Sequence, residues 1–175
     1  MWYVIQVIEG NTDSAFAKCK NAIPESSYRE MFVPMYECMF KASGKWMVIR
    51  KELFAGYFFV DTDDSENLLE YLKHIPSFVK PVCVGRDFVP ITTKEQQMLE
   101  SLLNEDRIVA MSQGDIVDGS YDIYKGPLVG KAELIRKVDR HKRVGDIEIS
   151  ILGDVRRVRV GLEIVNKIHT DEVSA

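Results

Sequence analysis

Arg136, Lys137, Arg140, Lys142 and Arg143 fall within eight residues of IRKVDRHKRVG, with His141 among them and only Asp139 in opposition. Cations at that density could neutralise several phosphates, so the chemistry they suggest is non-covalent recognition of a polyanion. A solvated charged turn is the plain alternative. Arg156, Arg157 and Arg159 follow on the next stretch and Lys131 precedes it. Nothing comparable points to bond chemistry. His74, His141 and His169 lie far apart in the chain, and Cys19, Cys38 and Cys83 show no ligand spacing, so neither a zinc site nor a nucleophile–base pair is displayed. The acidic run DTDDSE lacks the glycine and terminal glutamate of an EF-hand loop and reads better as a helix cap. GPLVGK departs from the GxxxxGK[ST] phosphate loop, and no helix follows it. The expectation is a binding protein with no enzyme activity, metal or cofactor.

These cations sit in a chain that is acidic as a whole, with a net charge of -4 over 175 residues. The charge is divided. Residues 1–119 hold 12 basic and 18 acidic side chains, whereas residues 120–168 hold 11 basic and 7 acidic ones. Such asymmetry argues for two modules with different electrostatic roles. A hydrophobic fraction of 46%, with eight Phe and seven Tyr, supports folded cores rather than a disordered chain. The odd, scattered cysteines suit free thiols in a reducing cytoplasm. MWYVIQVIEG lacks a basic leading region and reads as a strand, and no apolar run approaches membrane-spanning length.

The elements that would position the cations differ in kind between the two modules. WYVIQVIE predicts a strand, and Asn11-Thr12-Asp13 a turn and cap for a helix to about Asn21. Tyr28–Phe40 is strand-like but interrupted at Pro34. KWMVIRKE and GYFFVDT are further strands. Asp63-Asp64-Ser65 caps a helix to about His74, and Thr92 with Glu95 forms a capping box for another to about Asn104. The order predicts one antiparallel sheet with helices mainly on one face. Beyond it, DIVDGSYDIY, GKAELIRKV, DIEISIL, RRVRVGL and EIVNKI predict short strands of a small β-barrel, with a turn at Gly153-Asp154 and a bulge near Arg156-Arg157. The fold class is therefore α+β. The expected boundaries are 1–104 for the first module, 105–118 for a linker or junction, 119–170 for the barrel and 171–175 for a tail.

Alternation also assigns faces. Trp2, Val4 and Gln6 point one way from their strand and Tyr3, Ile5 and Val7 the other; Tyr57 and Phe59 oppose Phe58 and Val60. Helices on one side cover one set. The set with Trp2, Tyr57 and Phe59 must then be covered by other segments, covered by the second module, or left as an apolar docking surface.

KELFAGYFFVDTD resembles the LFPGYVFV segment of the NusG family of transcription elongation factors, and VGRDFVPIT resembles that family's run into the last helix of its N-terminal (NGN) domain. KGPLVGKAELIRKVDRHKRVGDIEISILGD resembles its KOW motif and small five-stranded barrel, in the family's order and spacing. The resemblance implies an NGN domain whose apolar sheet face grips the clamp helices of the largest catalytic subunit of RNA polymerase, through Trp2, Phe54, Tyr57 and Phe59. It places Arg50 and Lys51 in a region that approaches the opposite side of the cleft or the upstream DNA. Ala55 stands where the family's motif has Pro, and Val129 where many relatives have Lys. Phosphate contact then falls to Lys131, Arg136, Lys137, Arg140, His141, Lys142, Arg143, Arg156 and Arg157. KVDRHKR and VGLEIVNKI look most like the LoaP-type antiterminator branch, which implies an operon-specific, cytoplasmic, monomeric factor that binds nascent RNA, including a leader hairpin. The alternative is a general factor whose barrel binds Rho or ribosomal protein S10.

Overall fold

The computed structural model describes residues 1–75 and 79–170, so the expected tail 171–175 lies outside the described residues. β1 (Trp2–Gln6) opens the chain, rich in the β-branched and aromatic residues that fit a pleated, buried surface. In α1 (Thr12–Ala22) Asn11 holds the N-cap position without a side-chain cap bond. The Thr12 hydroxyl instead donates to Glu52 at 3.0 Å. β2 (Glu30–Phe32) stops at Val33-Pro34, where proline has no N–H for a ladder, and β3 (Met35–Ala42) departs in a new direction. Ser43 and Gly44, with φ of 51° and 78°, reverse the chain into β4 (Lys45–Glu52).

β5 (Tyr57–Asp61) follows. Asp64 then accepts from the Asn67 N–H and caps α2 (Ser65–Lys73). After the short β6 (Lys80–Pro81), the expected capping box opens α3 (Thr93–Leu102). The main sheet has the order β2-β5-β1-β6. Tyr3, Ile5, Val7, Phe58 and Val60 line one face and pack with Ala15 and Cys19 of α1 and with Leu68 and Leu72 of α2. The single sheet expected from sequence is in fact two. Because Pro34 breaks the ladder, β3 and β4 leave the main sheet and form a three-stranded sheet with β7 (Ile108–Val109), which runs parallel to β3.

The second module is a five-stranded sheet in the order β10-β11-β12-β8-β9, built from β8 (Ser112–Val117), β9 (Ser120–Lys125), β10 (Ile135–Asp139), β11 (Val144–Ile151) and β12 (Asp154–Ile168). β7 of the three-stranded sheet and β8, the first strand of this module, both fall within the segment expected as a linker or junction, 105–118. RRVRVGL and EIVNKI are one 15-residue strand rather than two. β12 can be that long because its first half pairs with β11 and its second half with β8. The tight turn falls at Leu152-Gly153, both with positive φ, and not at Gly153-Asp154. The β11–β12 register runs unbroken from Ile151 opposite Asp154 to Val144 opposite Gly161, so there is no bulge near Arg156-Arg157. Continuous alternation puts Arg156 on the face of Val158 and Val160 and leaves Val155 in solvent.

The two modules are not separated by solvent. One apolar cluster runs from Trp2, Val4, Phe59 and Leu99 into Ile149, Ile151, Val158 and Val160 of the barrel. Gly161 of β12 passes so close to β3 that a Cβ there would collide with the Glu37 carbonyl and the Met111 Sδ.

Candidate interaction surfaces

The pairing of β1 with β5 sets Val4 opposite Phe59 and Gln6 opposite Tyr57, and so gathers the expected aromatic set on one side of the sheet. Trp2 and Phe59 have ring centroids 6.0 Å apart, and Phe54 lies 5.9 Å from Phe59. Sequence reading missed Phe32. It comes from β2, meets Trp2 edge-on at 4.9 Å and stacks on Phe59 at 5.6 Å. Arg107 was missed as well: its guanidinium lies 5.0 Å from the Trp2 ring and 4.6 Å from that of Phe32, and it is paired with Glu30. No local pattern marks either residue, because both arrive through pairings between distant segments.

The expected exposed aromatic patch is not exposed in this structure. Trp2 and Phe59 are each 1% accessible, and Phe54 and Tyr57 are half-buried. Phe32 and Arg107 pack on Trp2, and the barrel covers the side of Phe59. Ile151, Leu152 and Arg156 face Val4, Phe54, Tyr57 and Phe59 across a cavity of about 250 Å³. The physical reason is that α1 and α2 cover the opposite face, so the aromatic face is satisfied only by further apolar elements, here α3 and the β11–β12 hairpin.

Glu95 fastens that cover. One of its oxygens accepts from the Thr92 N–H (2.8 Å) and hydroxyl (3.1 Å), completing the capping box. The other accepts from the Ser150 hydroxyl (3.1 Å) and the Gly153 N–H (2.9 Å), both on the barrel. Burial alone would raise this carboxyl. The hydrogen bonds from Gly153, Thr92 and Ser150 outweigh it and hold Glu95 below its ordinary range. Sequence showed the cap but not this second use.

The basic residues divide into separate groups. Asp139 accepts from the Lys142 N–H at 3.0 Å and shapes a four-residue loop, 140–143, between β10 and β11. Arg140, His141 and Lys142 project into solvent there, and Lys137 is exposed just before them. Among the described residues, Lys137, Arg140 and Lys142 have no ion pair. Arg143 turns back instead. Its guanidinium lies 4.3 Å from the Trp46 ring and 3.4 Å from Glu163. Arg136 and Arg157 are both paired with Glu148, at 2.8 and 2.9 Å.

Arg156 stands opposite Ile149, five residues along the ladder from Val144, which places it roughly 17 Å from the loop at about 3.3 Å per residue. It borders the cavity over the aromatic face rather than the loop. The Lys131 ammonium returns to the Pro127 carbonyl at 3.1 Å. Gly126, at φ 92°, lets that turn pass against Met111 and Ser112. Arg50 and Lys51 lie on β4, opposite Glu37 and Tyr36, with Arg50 3.9 Å from Glu37.

Among the described residues no cluster of His, Cys, Asp and Glu could hold a metal. No helix there is long and apolar enough to cross a membrane. Residues 1–100 match the family described as "Transcription termination factor nusG". No curated protein matches the sequence. The solved structure described as "Domain interaction in Thermotoga maritima NusG" is similar in fold, with a TM-score of 0.58 at 17% identity over 93% of each chain.

Proposed function

The chain belongs to the NusG family of transcription elongation and termination factors, which bind RNA polymerase and are not enzymes, and from that premise we propose that it is an operon-specific antitermination factor of the cytoplasm. The face built from Trp2, Phe54, Tyr57 and Phe59 grips the clamp helices of the largest catalytic subunit. The loop 140–143 touches nascent RNA, including a leader hairpin. Gripping the clamp suppresses pausing only if the grip is tighter in the elongating state than in the paused one. Arg50 and Lys51, on β4, would face the far side of the cleft or the upstream DNA.

The observation that carries this reading is the contrast within the loop. Asp139 is occupied with the loop's own backbone, while Lys137, Arg140 and Lys142 stay unpaired and exposed. A merely solvated turn on an acidic protein has no need of such a concentration of cations. The barrel, tethered to a polymerase-bound module, would meet emerging RNA at raised local concentration, so modest intrinsic affinity suffices. Because the barrel covers the aromatic face, gripping the clamp requires the barrel to move aside. The domain interaction named for the Thermotoga maritima protein is in keeping with such docking.

A second reading rests on the other side of the barrel. Ile151 and Leu152 form an apolar edge able to pack on protein, which favours a general factor whose released barrel binds Rho or ribosomal protein S10. Elongation complexes on templates with a matched leader and a scrambled leader separate the two. Leader-dependent readthrough of a terminator supports the specific factor. Equal readthrough on both templates, or greater affinity of the barrel for Rho or S10 than for RNA, contradicts it.

A further inference from the structure

The β3–β4 hairpin carries exposed apolar side chains that the polymerase grip does not use. Trp46 is 37% exposed with Val48 on its face, and Phe40, 50% exposed, pairs with Met47 on the other face. Trp46 does not stand alone. The Arg143 guanidinium lies 4.3 Å from its ring centroid and the Lys41 ammonium 5.7 Å. Arg143 is the last residue of the basic loop, so docking of the barrel joins loop and hairpin into one surface. Lys41 and Lys45 on the hairpin, like Lys137, Arg140 and Lys142 on the barrel, have no ion pair among the described residues. The acid nearest to Arg143 is Glu163, 3.4 Å away, and it is shared with Gln113 at 2.8 Å.

An exposed indole among unpaired cations matches the needs of an unpaired nucleotide, whose base seeks a π face and whose phosphates seek cations. A paired stem would use the cations but has no free base to offer the ring. Arg143 packs on the indole and is held there by Glu163, so it orients the ring and leaves the phosphates to the unpaired lysines and Arg140. We propose that the docked chain binds an unpaired stretch of RNA across both modules, with Trp46 stacking a base and Lys41, Arg140 and Lys142 holding the adjoining phosphates. This rests on the reading of the basic loop as an RNA contact and extends that contact to the N-terminal module. One consequence follows by linkage: only the Trp46 part of the contact needs the docked form, so polymerase, which favours the undocked one, removes the base stack and leaves the RNA to the basic loop.

The test titrates the full chain with fluorescent oligouridine at low salt, with a blunt RNA duplex and oligothymidine as further probes. Trp46→Ala is expected to weaken oligouridine binding about tenfold, within the range of one lost base stack, and to leave duplex binding unchanged. Trp46→Phe, which keeps a ring, should recover most of the loss. A second readout does not depend on the alanine variant folding. Oligouridine should quench the tryptophan emission of the parent chain but not that of Trp46→Phe, whose remaining Trp2 is buried.

Unaltered oligouridine affinity and quenching in the Trp46 variants would overturn the proposal, as would equal losses on the duplex or binding of oligothymidine alone. If Arg140→Gln with Lys142→Gln abolishes RNA binding while the Trp46 variants behave as the parent, this inference falls and the basic loop stands. If the parent binds neither RNA, both fall.

Discussion

The aromatic face and the basic loop are the two surfaces best suited to hold a partner, and the fold treats them in opposite ways. Trp2, Phe32 and Phe59 are closed off from water, Phe59 on the side of the barrel, whereas Arg140, His141 and Lys142 stand in water. The difference follows from solvation. Large apolar side chains left exposed each forgo roughly 1.5–3 kcal/mol of burial, so a free aromatic face would seek any apolar cover. Charged side chains are already satisfied by water and can wait. A contact built on burial therefore needs a gate, and a contact built on charge does not.

Removing the buried side of this comparison should have the largest effect. Phe59→Ala is expected to cost about 3–5 kcal/mol of stability as a large-to-small core change, measured as a lower midpoint in urea. It consequently makes a poor probe of polymerase binding, for which the half-buried Tyr57 is the better position. Leu152→Asp should separate the modules with a smaller cost, about 1–3 kcal/mol of docking. Leu152 sits at φ 53°, a conformation that aspartate accepts readily, so the turn itself survives. Increased binding of an apolar dye, with unchanged circular dichroism, is the expected result.

Glu95→Gln should loosen docking by about 1–3 kcal/mol, because it weakens the acceptor for Ser150 and Gly153. The same carboxylate gives docking a pH dependence of known sign. Its value in the docked fold is depressed from 4.5, so its contribution is fully present above that ordinary value and is lost as pH falls through the depressed one. The Gly153 amide resonance should report the loss. At the charged surface the effect should be smallest on structure and visible mainly in salt. Arg140→Gln with Lys142→Gln should leave stability unchanged and flatten the log–log salt dependence of RNA affinity by about 1.4, at roughly 0.7 per phosphate contact.

Local rules made much of the fold legible. Alternation assigned Trp2 and Val4 to one face and Tyr3 and Ile5 to the other, and both clusters form accordingly. Asp64 and the Thr92–Glu95 pair cap the helices that their spacing announces. Where a partner comes from a distant segment, local pattern is silent. The departure of β3 and β4 from the main sheet depends on what Pro34 leaves unpaired. β12 runs through two expected strands because two different neighbours continue it.

The candidate surfaces divide in the same way. Trp2, Phe54, Tyr57 and Phe59 converge as the alternation and the family resemblance implied, but their covering by Ile151 and Leu152 depends on how two modules meet. Proximity in sequence likewise grouped Arg136, Arg156 and Arg157 with the loop, while acids from neighbouring strands claim Arg136 and Arg157 and the hairpin carries Arg156 to the seam. Trp46 carried no signal by itself; it became notable through Arg143.

The central claim is that the barrel covers the surface that grips polymerase. Equilibrium binding of purified RNA polymerase to the parent chain and to Leu152→Asp tests it most directly. Tighter binding by Leu152→Asp, lost again when Tyr57→Ala is added, is the predicted result. Equal affinity of the parent and Leu152→Asp chains for polymerase would contradict it.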